Sequence, residues 1–341
     1  MNRLGTLERK TVAMNFLIAL ITVLILTAAS AVTAVSPFFS AVLMILPYAA
    51  LATFIGGFVY RVILWARAPV PFRSSTTCGQ QQSLSWLKSE PLESPATSVG
   101  VFVRMALEVL CFRSLFRNTD LKLIEGRPIY GSAKWLWLFG MLFHWSLLII
   151  IVRHLRFFVE PIIPWINGLS AIDGFFQIGI PTFYLSDIAI LMGLAFLILR
   201  RLVVPELRYI SLFADHFSLL LLLSIALTGV LMRTVFPADL EQVKSLAMGW
   251  VTFAPHVPKD TSFLVQTHLI FVCVLLAWFP FSKLMHMGGV FLSPTRNLAN
   301  DSRMRRHVNP WNAPVKVHTY EEYEDDFRDQ MKTAELPVDK E

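Results

Sequence analysis

Residues 11–60 contain no Asp, Glu, Lys or Arg, an uncharged stretch of 50 residues. One membrane-spanning helix needs only about 20 apolar residues. Two therefore fit here, divided at Ser36-Pro37. Composition agrees: 55% of the chain is hydrophobic and 16% charged, against about a quarter charged in ordinary soluble domains. Further apolar runs near 132–158, 185–199, 210–235 and 261–281 bring the expected spans to six. Backbone polar groups in lipid must be satisfied within the segment, so each run is predicted to be helical. The expected fold is all-α, a polytopic membrane bundle of six transmembrane helices.

Basic residues sort by loop. With the N-terminus inside, 25 of the 30 Lys and Arg fall in cytoplasmic segments. Only Arg153, Arg156, Arg233, Lys244 and Lys259 lie outside. The positive-inside rule then places both termini in the cytoplasm of a prokaryotic cell, and the net charge of +6 calls for no nucleic-acid partner. The first span also has the look of a secretory signal, with basic MNRLGTLERK, an apolar run and small residues at 29–34. Retention is the expectation, and cleavage would leave five helices. Cys78, Cys111 and Cys273 have no paired spacing and no Cys-x-x-Cys-His pattern, so neither a disulfide framework nor covalent haem is indicated.

The expected organisation is two helices in 1–65, a cytoplasmic connector in 66–131, a four-helix core in 132–293 and a cytoplasmic tail in 294–341. In the connector, SVGVFVRMALEVLCFRSLFRNTDLKL places Val103, Leu107, Leu110, Leu115 and Phe116 near helical spacing, with arginines between. This predicts an amphipathic helix, on the inner membrane surface or against the protein's own loops. The outer loop of residues 160–186 could cap an external cavity or simply shield helix ends. The tail, with RMRRH, NPWNAPV and YEEYEDDFRD, is read as solvated or as a docking arm.

Four histidines lie within apolar segments: His144 and His154 in the third span, His268 and His286 in the sixth. Ionisable groups at bilayer depth are rare and usually functional, and neutral imidazole is an axial ligand for haem iron. A rise of about 1.5 Å per residue separates the first pair by about 15 Å and the second by about 27 Å in ideal straight helices. Each pair thus occupies two depths. Antiparallel packing sets His144 level with His286 and His154 level with His268, so each couple can bracket one iron of a dihaem cytochrome b. The axial distances differ, and Pro280 could kink or shorten the sixth helix. Ten residues also fall about 80° short of three turns, which asks for helix tilt, a bulge or different haem azimuths. A channel, proton relay or transporter could also use membrane histidines. A relay would want carboxylates within the same spans, and the third and sixth have none across their apolar cores. The other four, His216, His256, His307 and His318, are read as surface, capping or satisfied polar residues, with His216 reaching water or a headgroup.

The motifs LFH-x9-H at 142–154 and H-x17-H ending in FPFSKLMH at 268–286 closely resemble the gamma subunit family of respiratory nitrate reductases. ILPYAALATFIGGFVYR, LILRR, ADHFSLLLLLSIALTGVL and GWVTF extend the resemblance over about 46–290. It implies two b haems held non-covalently by His144, His286, His154 and His268. The extra N-terminal span and the connector with FRSLFRNTDLKL look more like the DsrM family, membrane cytochromes of the dissimilatory sulfite reductase-associated complex. That likeness implies menaquinol chemistry, a cytoplasmic iron-sulfur partner similar to heterodisulfide reductase, and other membrane and periplasmic subunits. The expected activity is menaquinol oxidation at the outer face, with electrons passed inward in sulfur metabolism. A cytochrome of a nitrate or other reductase, a quinone-reducing complex and a non-redox transporter stay open.

Quinol oxidation releases protons, so its site needs polar groups opening toward water. Arg153, Arg156, Glu160 and Asp187, at the outer ends of the third and fourth spans, are the candidates. The two arginines could instead pair with haem propionates, and the two acids could be helix-end residues. The basic residue near the quinol site of the nitrate subunit has no evident counterpart at the entry of the fourth span.

Overall fold

A computed structural model describes residues 2–68, 78–124, 126–174, 184–258, 261–293, 295, 297–304 and 317–340. Much of the proline-rich start of the connector, part of the outer loop, NPWNAPV and His307 lie outside them. The described chain is predominantly helical. In order come α1 (Asn2–Ala34), α2 (Phe39–Ala66), α3 (Ser98–Cys111), α4 (Arg113–Arg117), strands β1 (Thr119–Ile124) and β2 (Arg127–Ser132), and α5 (Lys134–His154). They are followed by α6 (Pro164–Asp173), α7 (Leu185–Val203), α8 (Pro205–Ile210), α9 (Phe213–Thr234), α10 (Leu240–Val251), α11 (Phe263–Trp278), α12 (His286–Leu292) and α13 (Tyr320–Thr333).

Among the described residues, five helical segments are long and apolar enough to cross a membrane: 14–34, 39–66, 134–157, 213–234 and 263–281. The fourth expected span is α7, 19 residues long, with Asp187 near one end and Arg200 and Arg201 near the other. It packs between α5 and α9, and α9 in turn packs on α11 and α1. Its approach to α5 is close because residue 193 is glycine: a Cβ there would sit 2.9 Å from Cβ of Phe143. Phe143, Ile190, Leu194 and Leu222 bury themselves at this contact. A second core joins Ala19 and Val23 of α1 to Phe217, Leu220, Leu221 and Phe271. Polar bonds fasten the same helix at its other end, where Ser30 Oγ and Thr267 Oγ1 are 2.8 Å apart and Gln266 Nε2 donates to Ser30 O at 2.9 Å. Large apolar side chains such as Leu24, Ile25, Ile45 and Ile55 remain exposed, as expected for surfaces that face lipid.

Two sequence expectations need correction. The connector is not one amphipathic helix through residue 123: α3 and α4 are followed by a two-stranded hairpin in an otherwise helical chain. Thr97 caps the start of α3, whose last turn is closed by Phe112 in the left-handed region (φ 48°, ψ 46°). Beyond α4, the alternating TDLKLI pairs antiparallel with RPIYGS around Gly126 at φ 77°, a period-two pattern with a glycine turn.

The sixth span is likewise not one kinked helix. α11 stops at Trp278, two short 3-10 turns cover Phe279–Phe281 and Lys283–Met285, and α12 begins at His286. Proline at 280 removes a backbone donor, and the hydroxyl of Ser282 accepts from the backbone N–H of Leu284 at 3.2 Å. The 18-residue spacing therefore does not translate into five turns of straight helix. Part of the acidic tail is helical, which agrees with either reading of it. Thr319 and Glu322 form a capping box for α13. Backbone N–H groups of Asp339 and Lys340 donate to Glu324, holding its carboxyl below the usual carboxylate range.

Candidate haem-iron sites

α5 and α11 carry facing histidines yet do not pack closely on each other; α7 and α9 lie beside the opening. The imidazoles meet across it in the two couples expected from antiparallel packing. His144 and His286 have ring centres 6.0 Å apart with planes at 77°, and His154 and His268 have centres 6.3 Å apart with planes at 11°. A metal–imidazole bond is about 2 Å long, and each ring centre lies roughly 1 Å beyond the nitrogen. An iron between two imidazoles thus separates their centres by about 6 Å. Both couples fit that spacing. Among the described residues no three His, Cys, Asp or Glu converge as an all-protein metal site, so each couple offers axial ligands only.

The second ring nitrogen of every histidine is engaged. His144 Nδ1 lies 2.7 Å from Gly140 O, His154 Nδ1 2.7 Å from Ile150 O, and His286 Nδ1 2.8 Å from Lys283 O. A carbonyl can only accept, so these three rings carry their proton on Nδ1 and keep the Nε2 lone pair for a metal. His268 Nδ1 lies 2.9 Å from Thr228 Oγ1, whose own proton is committed to Ser224 O at 2.8 Å or Ile225 O at 3.0 Å. That hydroxyl therefore accepts as well. Thr228 escaped sequence reading, because nothing in SIALTGVL points across to α11. Replacing it with Val strands the His268 Nδ1 donor. Outer-shell losses of this kind cost about 10- to 100-fold in metal affinity, so Thr228→Val is expected to weaken any haem binding between His154 and His268 by that factor, measured by haem titration.

Around the His154–His268 couple the structure gathers only part of the expected polar set. Arg153 is buried, with Nη1 bonded to Asp173 Oδ2 at 2.5 Å, and its guanidinium lies 3.7 Å from the ring centre of Tyr184. Arg233 lies 4.0 Å from the same ring and bonds Asp187 Oδ2 at 3.1 Å. Ser186 closes the group, donating from N and Oγ to Asp173 at 2.8 and 2.6 Å. Arg153 and Asp187 are thus brought together, while Arg156 lies over Phe157. Glu160 departs from the set and pairs with Lys244 of α10. Asp173, Tyr184, Ser186 and Arg233 were missed, since 20 to 80 residues of chain separate them from Arg153. Among the described residues, Nε and Nη2 of Arg153 are buried with no hydrogen-bond partner. An unsatisfied buried donor costs about 1–3 kcal/mol, more when charged, so the cluster is suited to a further acceptor beyond those the described residues supply.

At the opposite end, Asp215 binds Lys283, and Phe112 meets the His144 ring edge-on at 4.9 Å. His216 does not reach water or a headgroup as expected. It is 2% exposed and packs edge-on against Phe16 of α1, because α1 covers the start of α9. His256 bonds Ser245 at 2.8 Å, and His318 faces Asp326 at 3.7 Å. These are the ordinary polar roles expected of them.

Fold and site together define a multi-pass helical membrane protein with two stacked histidine couples. The nitrate reductase gamma subunit family matches residues 129–306. A relative from Archaeoglobus fulgidus, named Hdr-like menaquinol oxidoreductase cytochrome b-like subunit, is 46% identical over 79% of this chain and 82% of its own length. One of the same name from Archaeoglobus profundus is 42% identical over 78% and 81%. The chain belongs to the nitrate reductase gamma subunit family. The matched region begins in β2, later than the expected 46, and leaves α1, α2 and α3 outside it.

Proposed function

We propose that this chain is the dihaem cytochrome b subunit of a menaquinol-oxidising respiratory complex, with His154 and His268 holding an outer haem and His144 and His286 an inner one. The observation that carries the reading is the pair of facing imidazole couples at 6.0 and 6.3 Å, each ring oriented through Nδ1. Haems so held would supply one-electron carriers linking the outer side of the membrane to the inner. The names of the two relatives support menaquinol as the reductant. α7 serves as the sixth span, its charged residues lying toward its two ends.

The chain's own residues handle the quinol. Arg153, whose buried Nε and Nη2 have no hydrogen-bond partner among the described residues, donates to a quinol oxygen or a haem carboxylate, and Arg156 and Arg233 add positive charge beside it. Asp187, paired with Arg233, is the proton acceptor on the path to water. Electrons leave on the cytoplasmic side, where both termini lie, toward an iron-sulfur subunit. Residues 66–131 and the tail from 294 form that subunit's contact surface. A role in sulfur metabolism, beside other membrane and periplasmic subunits, is supported by the extra N-terminal helix and the connector.

A reduced-minus-oxidised absorption spectrum of the purified protein tests the reading. A b-type α-band with about two haems per chain is expected. A featureless spectrum after supply of haem during expression would overturn it in favour of a non-redox transporter.

A further inference from the structure

The break between α11 and α12 is gripped from α9 at two points. Ser218 Oγ accepts the indole N–H of Trp278 at 3.0 Å, holding the end of α11. One turn earlier, the Asp215 carboxylate, 3% exposed, receives Lys283 Nζ at 2.8 Å on Oδ1 and 3.0 Å on Oδ2. The same carboxylate accepts Leu212 N–H at 3.1 Å and lies 3.6 Å from Arg201 Nη1. The Lys283 side chain is 75% exposed, so little besides Asp215 fixes it. Lys283 is also the residue whose carbonyl receives His286 Nδ1–H at 2.8 Å. A continuous tether thus runs from a buried carboxylate, through one lysine, to a ring facing His144.

We propose that Asp215 is a positioning residue for the inner haem: acting through Lys283, it fixes the carbonyl that orients His286 and so holds that imidazole across His144 at 77°. The inference rests on the dihaem reading. Outer-shell partners set ligand orientation in this way at other metal sites. The outer couple has a different arrangement, with Thr228 holding His268 and the planes at 11°. Ring angle has a direct signature. Crossed imidazoles leave the two metal d orbitals of π symmetry nearly equal in energy and give a highly axial low-spin ferric signal. Parallel imidazoles split those orbitals and give a rhombic signal. The two haems should therefore be told apart by electron paramagnetic resonance of the oxidised full-length protein.

The test compares the wild type with Asp215→Asn, Lys283→Met and Lys283→Arg. Lys283→Met cuts the tether at an exposed side chain and leaves the buried carboxylate in place. The wild type is expected to show one axial and one rhombic signal. In Asp215→Asn and Lys283→Met the axial signal shifts toward rhombic while the other stays fixed, and Lys283→Arg, which keeps the cation, restores it. An axial signal unmoved by Lys283→Met, or equal movement of both signals, overturns the role of Asp215. Absence of any b-type absorption or low-spin signal in the wild type instead overturns the haem reading on which it rests.

Discussion

Alanine at His154 or His268 is expected to lower haem content from about two per chain to about one while the inner haem keeps its spectrum. Alanine at His144 or His286 is expected to do the reverse. Each iron would draw one ligand from α5 and one from the α11–α12 segment, so loss of either partner empties that level alone. The geometry makes the result specific. The outer couple keeps its Nδ1 partners in Ile150 and Thr228 and the inner couple in Gly140 and Lys283, with no partner shared between them. Haem quantitation and potentiometric titration of the four variants check this. Full occupancy with an unchanged b-type spectrum in all four would remove the assignment.

The second large effect is expected at Arg153. A hydrogen bond from a charged donor contributes about 1.5–3 kcal/mol, so Arg153→Leu should slow quinol-driven haem reduction roughly 100-fold, equivalent to about 2.7 kcal/mol. Dithionite should still reduce both haems. Asp173→Ala differs in kind, because Asp173 keeps its two bonds from Ser186 when Arg153 is lost, whereas Arg153 loses its only hydrogen-bonded carboxylate among the described residues when Asp173 is lost. Arg153 and Asp173 are each about 3% exposed, and stripping one partner from such a pair costs about 3–5 kcal/mol by stranding a buried charge. Loss of thermal stability, more than loss of rate, should mark that variant. Glu160→Gln serves as the control. Its exposed pairing with Lys244 contributes about 0–1 kcal/mol, and quinol-driven reduction at the wild-type rate is expected. Wild-type rates in variants of Arg153, Arg156 and Asp187 alike would move the quinol site to the inner face.

The histidine couples were legible in the sequence because two strong constraints act on few residues. An imidazole in lipid is costly, and helical rise converts spacing into depth. The hairpin at 119–132 was legible in principle from its alternation and Gly126, but the helical spacing of the residues before it invited one continuous helix. What lay beyond reading was contact between distant segments. Arg153 announces a cation at a helix end, and nothing near it in the chain announces Asp173 or Tyr184. Thr228 resembles any threonine bonding back within its own helix, which it also does. His216 was misjudged for the same reason, since its burial depends on α1, some 200 residues earlier. The break after Trp278 was half visible: Pro280 suggested a bend, while the full interruption also involves Ser282, bonded within the break itself, and Trp278 and Lys283, bonded to Ser218 and Asp215 of α9.

That interruption also makes the two ligand-bearing segments unequal in how they tolerate change of length. In α5 the ligands share one uninterrupted helix, where a single inserted residue between His144 and His154 turns one ring about 100° away from its partner. Between His268 and His286 the chain passes through 279–285, where backbone already departs from α-helical geometry and a residue more or less can be absorbed as a longer or shorter turn. Natural variation in the spacing of the second histidine couple, alongside a fixed count in the first, is the pattern this asymmetry allows.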